Sequence, residues 1–216
     1  MSRRRTRDRA ARSGITAGVA FVGGVIGSVA TSKEPYPRPG SGAAAIARYF
    51  GQRPSPVRFG AIGQLVSAVT LGRFAASVAS LAGGSRRRGA RAVQAAAVAG
   101  GGVASSALAT SALYGVALAR DPGSDEAITG HRRMFLAGGP AHGIGFGLLL
   151  GALGVAGERT GELPRALTRA ALAAAIPNVL SPLYLVVAEQ AAWLIPIGRF
   201  PGLVIIGVAG DRLARD

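Results

Sequence analysis

Four stretches of this chain run for about the thickness of a lipid bilayer without a charged side chain. Residues 13–32 lie between Arg12 and Lys33, 92–119 between Arg91 and Arg120, 134–157 between Arg133 and Glu158, and 170–188 between Arg169 and Glu189. A helix rises about 1.5 Å per residue and needs roughly 20 apolar residues to cross the hydrocarbon core. In lipid only a helix or a closed barrel satisfies its own backbone. Two further stretches have the length but carry one arginine each. Residues 59–85 contain Arg73, and 190–210 contain Arg199 between Pro196 and Pro201. The pattern predicts an all-α fold, a polytopic transmembrane helix bundle of six spans. These cover about 13–32, 60–84, 92–119, 134–157, 168–188 and 190–210, forming one domain over 13–210 with a basic tail at 1–12 and a short tail at 211–216.

The formal net charge of +15 raises the question of nucleic acid, but only 16% of the 216 residues are charged, against about 25% in soluble domains. The basic residues sit in short clusters between the uncharged runs, as in membrane proteins. No nucleic-acid partner is expected. The expected partner is the lipid bilayer, with other membrane subunits or a homo-oligomer as further candidates. The chain has no cysteine, which excludes disulfides, thiolate metal sites and thiol chemistry. Lys33 is its only lysine, and with abundant Ala and Gly this points to a GC-rich, bacterial genome.

Arginine placement sets the expected orientation. With the N-terminus in the cytoplasm, the inside segments hold fifteen basic residues and the outside segments eight. Tyr36, Tyr49, Tyr114, Tyr184 and Trp193 then all fall near the outer boundary, where such rings concentrate. A bacterial plasma-membrane protein with both termini cytoplasmic is the consistent reading. The basic start "MSRRRTRDRAAR" and first span also resemble a signal peptide. The run is long for one, however, and "SVATSKEP" is a weak cleavage site, so an uncleaved anchor is expected.

The largest loop, 33–58, has Pro-rich ends around "SGAAAIARYFGQ", which reads as a short helix with Ser41 as N-cap. Ile46, Tyr49 and Phe50 share a face, and Arg48 and Arg53 are placed to reach lipid headgroups. This predicts an interfacial helix in the first external loop, the other reading being a lid over a central cavity. The loop "ARDPGSDEAITGHRR" at 119–133 gathers Asp121, Asp125, Glu126 and His131 at spacings that match no calcium or zinc pattern. A solvated turn is expected, with Ser124, Asp125 and Glu126 at a helix start.

"GGPAHGIGFGLLLG" at 138–151 invites a phosphate-loop reading. Such loops need a preceding strand and a water-accessible helix start, and this one lies inside an uncharged run. Gly139, Gly143, Gly147 and Gly151 recur every four residues and form one slowly drifting stripe, the small-residue pattern that lets helices approach closely in lipid. Gly14/Gly18, Gly23/Gly27 and Gly100–Gly102 repeat the device. Pro140 removes a backbone donor one turn into the span. Pro177 and Pro182 predict a kink in the fifth span with carbonyls released near Asn178.

The candidate polar intramembrane site comprises Arg73, His142, Asn178, Glu189 and Arg199, with Gln64 and Ser181 as further polar groups. Arg73, near mid-span, costs roughly 2.5–3.5 kcal/mol on the insertion scale and must face the bundle interior, a partner or thinned membrane. His142 is either a neutral histidine bonded to a neighbouring helix or a ligand-binding group. Glu189 is placed to pair with Arg199. His131 and His142 are the only histidines, about 16 Å apart along a helix, so within one chain they cannot grip one haem iron, and only an oligomer could offer a bis-His site. No cofactor or metal and no catalytic residue is expected.

The order "AAAIARYFGQ", "FLAGGPAHGIGFGLLLGALG", "LPRALTRAAL", "WLIPIGRFPGLVII" resembles a family of small multi-span actinobacterial integral membrane proteins of unknown function. The resemblance implies a helical membrane bundle and brings no catalytic motif. Two functions stay open. One is a non-enzymatic accessory or assembly bundle packed through Gly/Ala stripes. The other is a small-solute or lipid transporter or channel with a polar site around Arg73 and His142.

Overall fold

A computed structural model describes residues 3–53, 55–85, 88–123, 125–187 and 193–215. Among them every regular element is helical. The order is α1 (Arg3–Thr31), α2 (Ala43–Phe50), α3 (Pro56–Gly83), α4 (Ala90–Arg120), α5 (Ala127–Leu136), a π-helical turn (Ala137–Ala141), α6 (His142–Thr160), α7 (Arg165–Leu180), a 3-10 turn (Ser181–Leu185) and α8 (Leu194–Leu213). Six of the helical segments are long and apolar enough to cross a membrane, starting at Ala11, Pro56, Ala90, Ala127, Arg165 and Leu194. The basic stretch before Arg12, expected as a tail, continues α1 as helix from Arg3.

The spans pack up and down in chain order, and α8 closes the ring against α1. Within the ring the α5–α6 span is the centre and α1 the rim: 72% of the former's apolar window is buried inside the protein, against 22% of the latter's. The core around α6 is Leu71, Phe74, Leu108, Phe146, Leu149, Leu150, Leu153 and Ile206. Lipid tails are as apolar as leucine, so association must come from close packing, and glycine supplies it at the crossings. A Cβ on Gly63 would lie 2.7 Å from Gly24 Cα where α3 meets α1, and one on Gly100 would lie 2.8 Å from Gly145 O where α4 meets α6.

The 139/143/147 stripe faces Ile195, then Asn178 and Ser181, then Ala175 and Val179, so it seats the α7–α8 hairpin. Gly151 departs from the expectation and has nothing within 4 Å. Steps of four residues turn about 400° each and drift off the contact line. Gly154 and Gly157 take over the α7 contact, against Thr168 and Leu172.

The helix expected in the first loop forms as α2, with Gly42 rather than Ser41 at its N-cap. Its apolar face turns onto protein. Ile46, Tyr49 and Phe50 are buried with Val57, Leu118, Ala127 and Met134, capping one end of the bundle. Arg48 forms a solvent-exposed pair with Glu34 at 3.6 Å. Gln52 holds the loop down: its Oε1 accepts from the backbone N–H of Lys33 (2.5 Å) and Glu34 (3.2 Å). Tyr49 shares a 3.1 Å hydrogen bond with Ser28 of α1. In the second loop α5 starts at Ala127 with no side-chain cap; Ser124 lies outside the described residues.

Candidate functional site

The register of α1 against its neighbours measures depth. Its charge-free run from Ser13 to Ser32 is about 30 Å long, which matches a hydrocarbon core. Gly14 packs on Phe74, so Arg73 stands only about one helical turn, roughly 5 Å, inside the level of Arg12. Arg73 is exposed on the rim of the ring, and its long stem lets the guanidinium reach the headgroups. In this register Arg73 lies closer to the level of Arg12 than to that of Lys33. α3 is 28 residues long, more than a bilayer needs, and the surplus lies at the Gly83 end.

Arg199 takes the deep position instead. Its guanidinium carbon lies 5.2 Å from the Phe21 ring centroid. Phe21 is nine residues beyond Arg12 and twelve before Lys33, about 14 Å and 18 Å along α1. The backbone around it explains how it is held. Pro140 lacks an N–H, and the chain passes it with a π-turn in which the His142 N–H reaches back to Ala137 O. In an α-helix that N–H would bond Gly138 O. The π register releases Gly138 O, and the Arg199 Nη2–H donates to it. The Arg199 Nε is buried without a partner. Among the described residues no carboxylate lies within ion-pair distance of Arg199, and Glu189 lies outside them.

Arg199 and Phe21 form the deepest part of a cavity of about 580 Å³ that rises between α1, α3, α4, α5 and α8 to the end capped by the first loop. Gln64 and Ser111 line one wall. Val25, Val29, Met134, Phe135 and Ile195 give an apolar wall, and Lys33, Glu34 and Tyr36 stand at the mouth. The loop segment 33–36 and Tyr49 of α2 thus border the cavity, the arrangement of the lid reading. Burial raises the Tyr49 phenol above its ordinary range while its hydrogen bond to Ser28 lowers it. Tyr49 is neutral at physiological pH and presents a hydroxyl.

No protein-family model, curated protein or solved structure matches the chain.

Of the four sequence candidates among the described residues the cavity takes Arg199 alone. His142 is buried between α6 and α4, with Nδ1 3.1 Å from Ala104 O and its ring stacked on Phe146 at 5.3 Å. That is the neighbouring-helix arrangement, although Nε2 has no partner. Asn178 is buried and donates 2.8 Å to Ala174 O, and Gly198 packs directly on its amide. This tie serves the α7–α8 contact just before the 3-10 turn that follows Leu180. None of the described cavities is lined by both Arg73 and His142; Arg73 is exposed on the rim and His142 is enclosed against α4. Sequence reasoning passed over Ser111, Ser28 and Gly138. The first two are unremarkable serines in long apolar runs, and Gly138 acts through a carbonyl that only the π-turn frees.

Proposed function

We propose that the chain is a bacterial plasma-membrane protein with both termini in the cytoplasm, working as a non-enzymatic binder or carrier of a small anionic solute. The single observation behind this reading is the cavity with Arg199 at its floor. A cation at mid-bilayer depth is costly and marks ligand and ion pathways; here it lines an open cavity beneath a polar mouth. The arginine asymmetry and the clustering of tyrosines at the loop end support placing that mouth on the outer side. The other lining side chains are hydroxyls, an amide and apolar groups, which suit binding rather than bond cleavage.

The natural absence of cysteine allows a clean test. Gln64→Cys, on the cavity wall, is expected to react with membrane-impermeant methanethiosulfonates added outside, and the anionic reagent should react faster than the cationic one. Replacing Arg199 by Gln should remove that preference. A Gln64→Cys protein inert to both reagents would end the binding reading.

The assembly reading keeps one specific support. Gly102 on the rim of α4 has open space beyond its Cα, and Ser106 follows one turn on the same exposed face, a small-residue surface suited to a second membrane helix. Cross-linking at Gly102→Cys in membranes would produce a specific dimer or heteromer if this face is used.

A further inference from the structure

The donor geometry at the cavity floor restricts what the solute can be. A guanidinium carries five N–H donors in one plane. One is taken by Gly138 O, and the guanidinium carbon sits over the Phe21 ring. Nε is enclosed by protein; the donors left for a ligand are on the Nη nitrogens in the guanidinium plane, a fork that matches two coplanar oxygens. The charge is also restricted. Arg199 is the sole charged side chain at the floor among the described residues, so a monoanion leaves a neutral pair about 14 Å inside the bilayer. A dianion would leave one charge uncompensated there, at a severe desolvation cost. Above the floor Val25, Val29, Phe135 and Ile195 form a hydrocarbon wall beside the polar Gln64 and Ser111, so a ligand seated there lays an apolar body against that wall. A phospholipid does not fit this order, since its phosphate stays with the headgroups, roughly 18 Å above Arg199 along α1.

We infer that the cavity binds a monocarboxylate with an apolar body, its carboxylate in the plane of the Arg199 guanidinium and its hydrocarbon against the α1–α5–α8 wall. This rests on the binding role proposed above and narrows it to one ligand class.

Equilibrium binding of phenylbutyrate to the full chain in nanodiscs tests it, with phenylbutanamide and phenylbutylamine as uncharged and cationic isosteres and inorganic phosphate as a bare anion. Phenylbutyrate is expected to bind at least about tenfold more tightly than either isostere, the scale of one charge-assisted hydrogen bond. Arg199→Gln should erase the difference and Arg199→Lys should retain part of it. The isostere comparison uses the unaltered protein, so it stands even if a variant fails to fold. Equal binding of the amide overturns the carboxylate, and phosphate competing as well as phenylbutyrate overturns the apolar body. Labelling of Gln64→Cys without phenylbutyrate binding overturns the ligand class while sparing the cavity reading; absence of labelling removes both.

Discussion

Replacing Gly145 by Ala isolates what holds the bundle together. Gly145 sits where α6 crosses α4, and an added Cβ would lie 2.7 Å from Gly100 O and 3.0 Å from Ala104 Cα. Both are backbone atoms of a 31-residue helix, so the clash cannot be relieved by a rotamer change and α4 must move away. Overpacking of this kind costs about 1–3 kcal/mol, and a clash with backbone belongs at the upper end. The same displacement stretches the 3.1 Å contact between His142 Nδ1 and Ala104 O, one turn from the substitution. Against this, Gly→Ala within a helix gains roughly 0.5–1 kcal/mol. The net expectation is destabilisation by about 2 kcal/mol. Gly151→Ala, in the same helix with nothing within 4 Å, is expected to be stabilising by roughly 0.5–1 kcal/mol. The two variants should therefore separate by about 3 kcal/mol in reversible unfolding by SDS titration from mixed micelles. Indistinguishable midpoints would refute the close α4–α6 approach, and with it the packing logic of the whole ring.

Three further substitutions probe the site and its surroundings. Arg199→Met should shift stability by less than about 2 kcal/mol, because the roughly 2.5–3.5 kcal/mol relieved by removing a deep arginine offsets the lost bond to Gly138 O and the Phe21 contact; a loss above about 3 kcal/mol in the same titration would mark Arg199 as structural. Arg73→Leu should leave stability within about 0.5 kcal/mol and Gln64→Cys labelling unchanged, since Arg73 is exposed and outside the cavity; altered labelling would contradict that placement. Tyr49→Phe removes the bond to Ser28 and is expected to cost about 1 kcal/mol, read as faster proteolysis within the loop 38–53, with no change expected if the loop is anchored by Gln52 alone.

The span count and the helical class were legible because both depend on local quantities, the length of an uncharged run and the rise per residue. The 139/143/147 stripe was legible for the same reason, and Pro177 and Pro182 foretold the break that the 3-10 turn makes after Leu180. Gly151 shows where such reasoning stops: a four-residue repeat drifts around the helix, and how soon it leaves the interface depends on the angle at which α7 crosses. The apolar face of α2 was equally visible, but sequence pattern does not distinguish a lipid surface from the end of a bundle.

The choice of Arg199 over Arg73 as the deep cation has the same origin. Arg73 lies near the middle of the 59–85 segment and Arg199 near the middle of 190–210. Segment lengths alone do not tell the two apart. Depth, however, is measured against the bilayer, and the bilayer is registered by all six helices together. The pairings of Gly14 with Phe74 and of Arg199 with Phe21 slide α3 toward the arginine-rich end and sink the start of α8 into the bundle. Run length and charge spacing are properties of one helix and settle that this chain crosses a membrane as a helical bundle. The cavity, its cation and the carbonyl that holds it depend on the axial offset between helices distant in sequence, which packing at their glycine crossings decides.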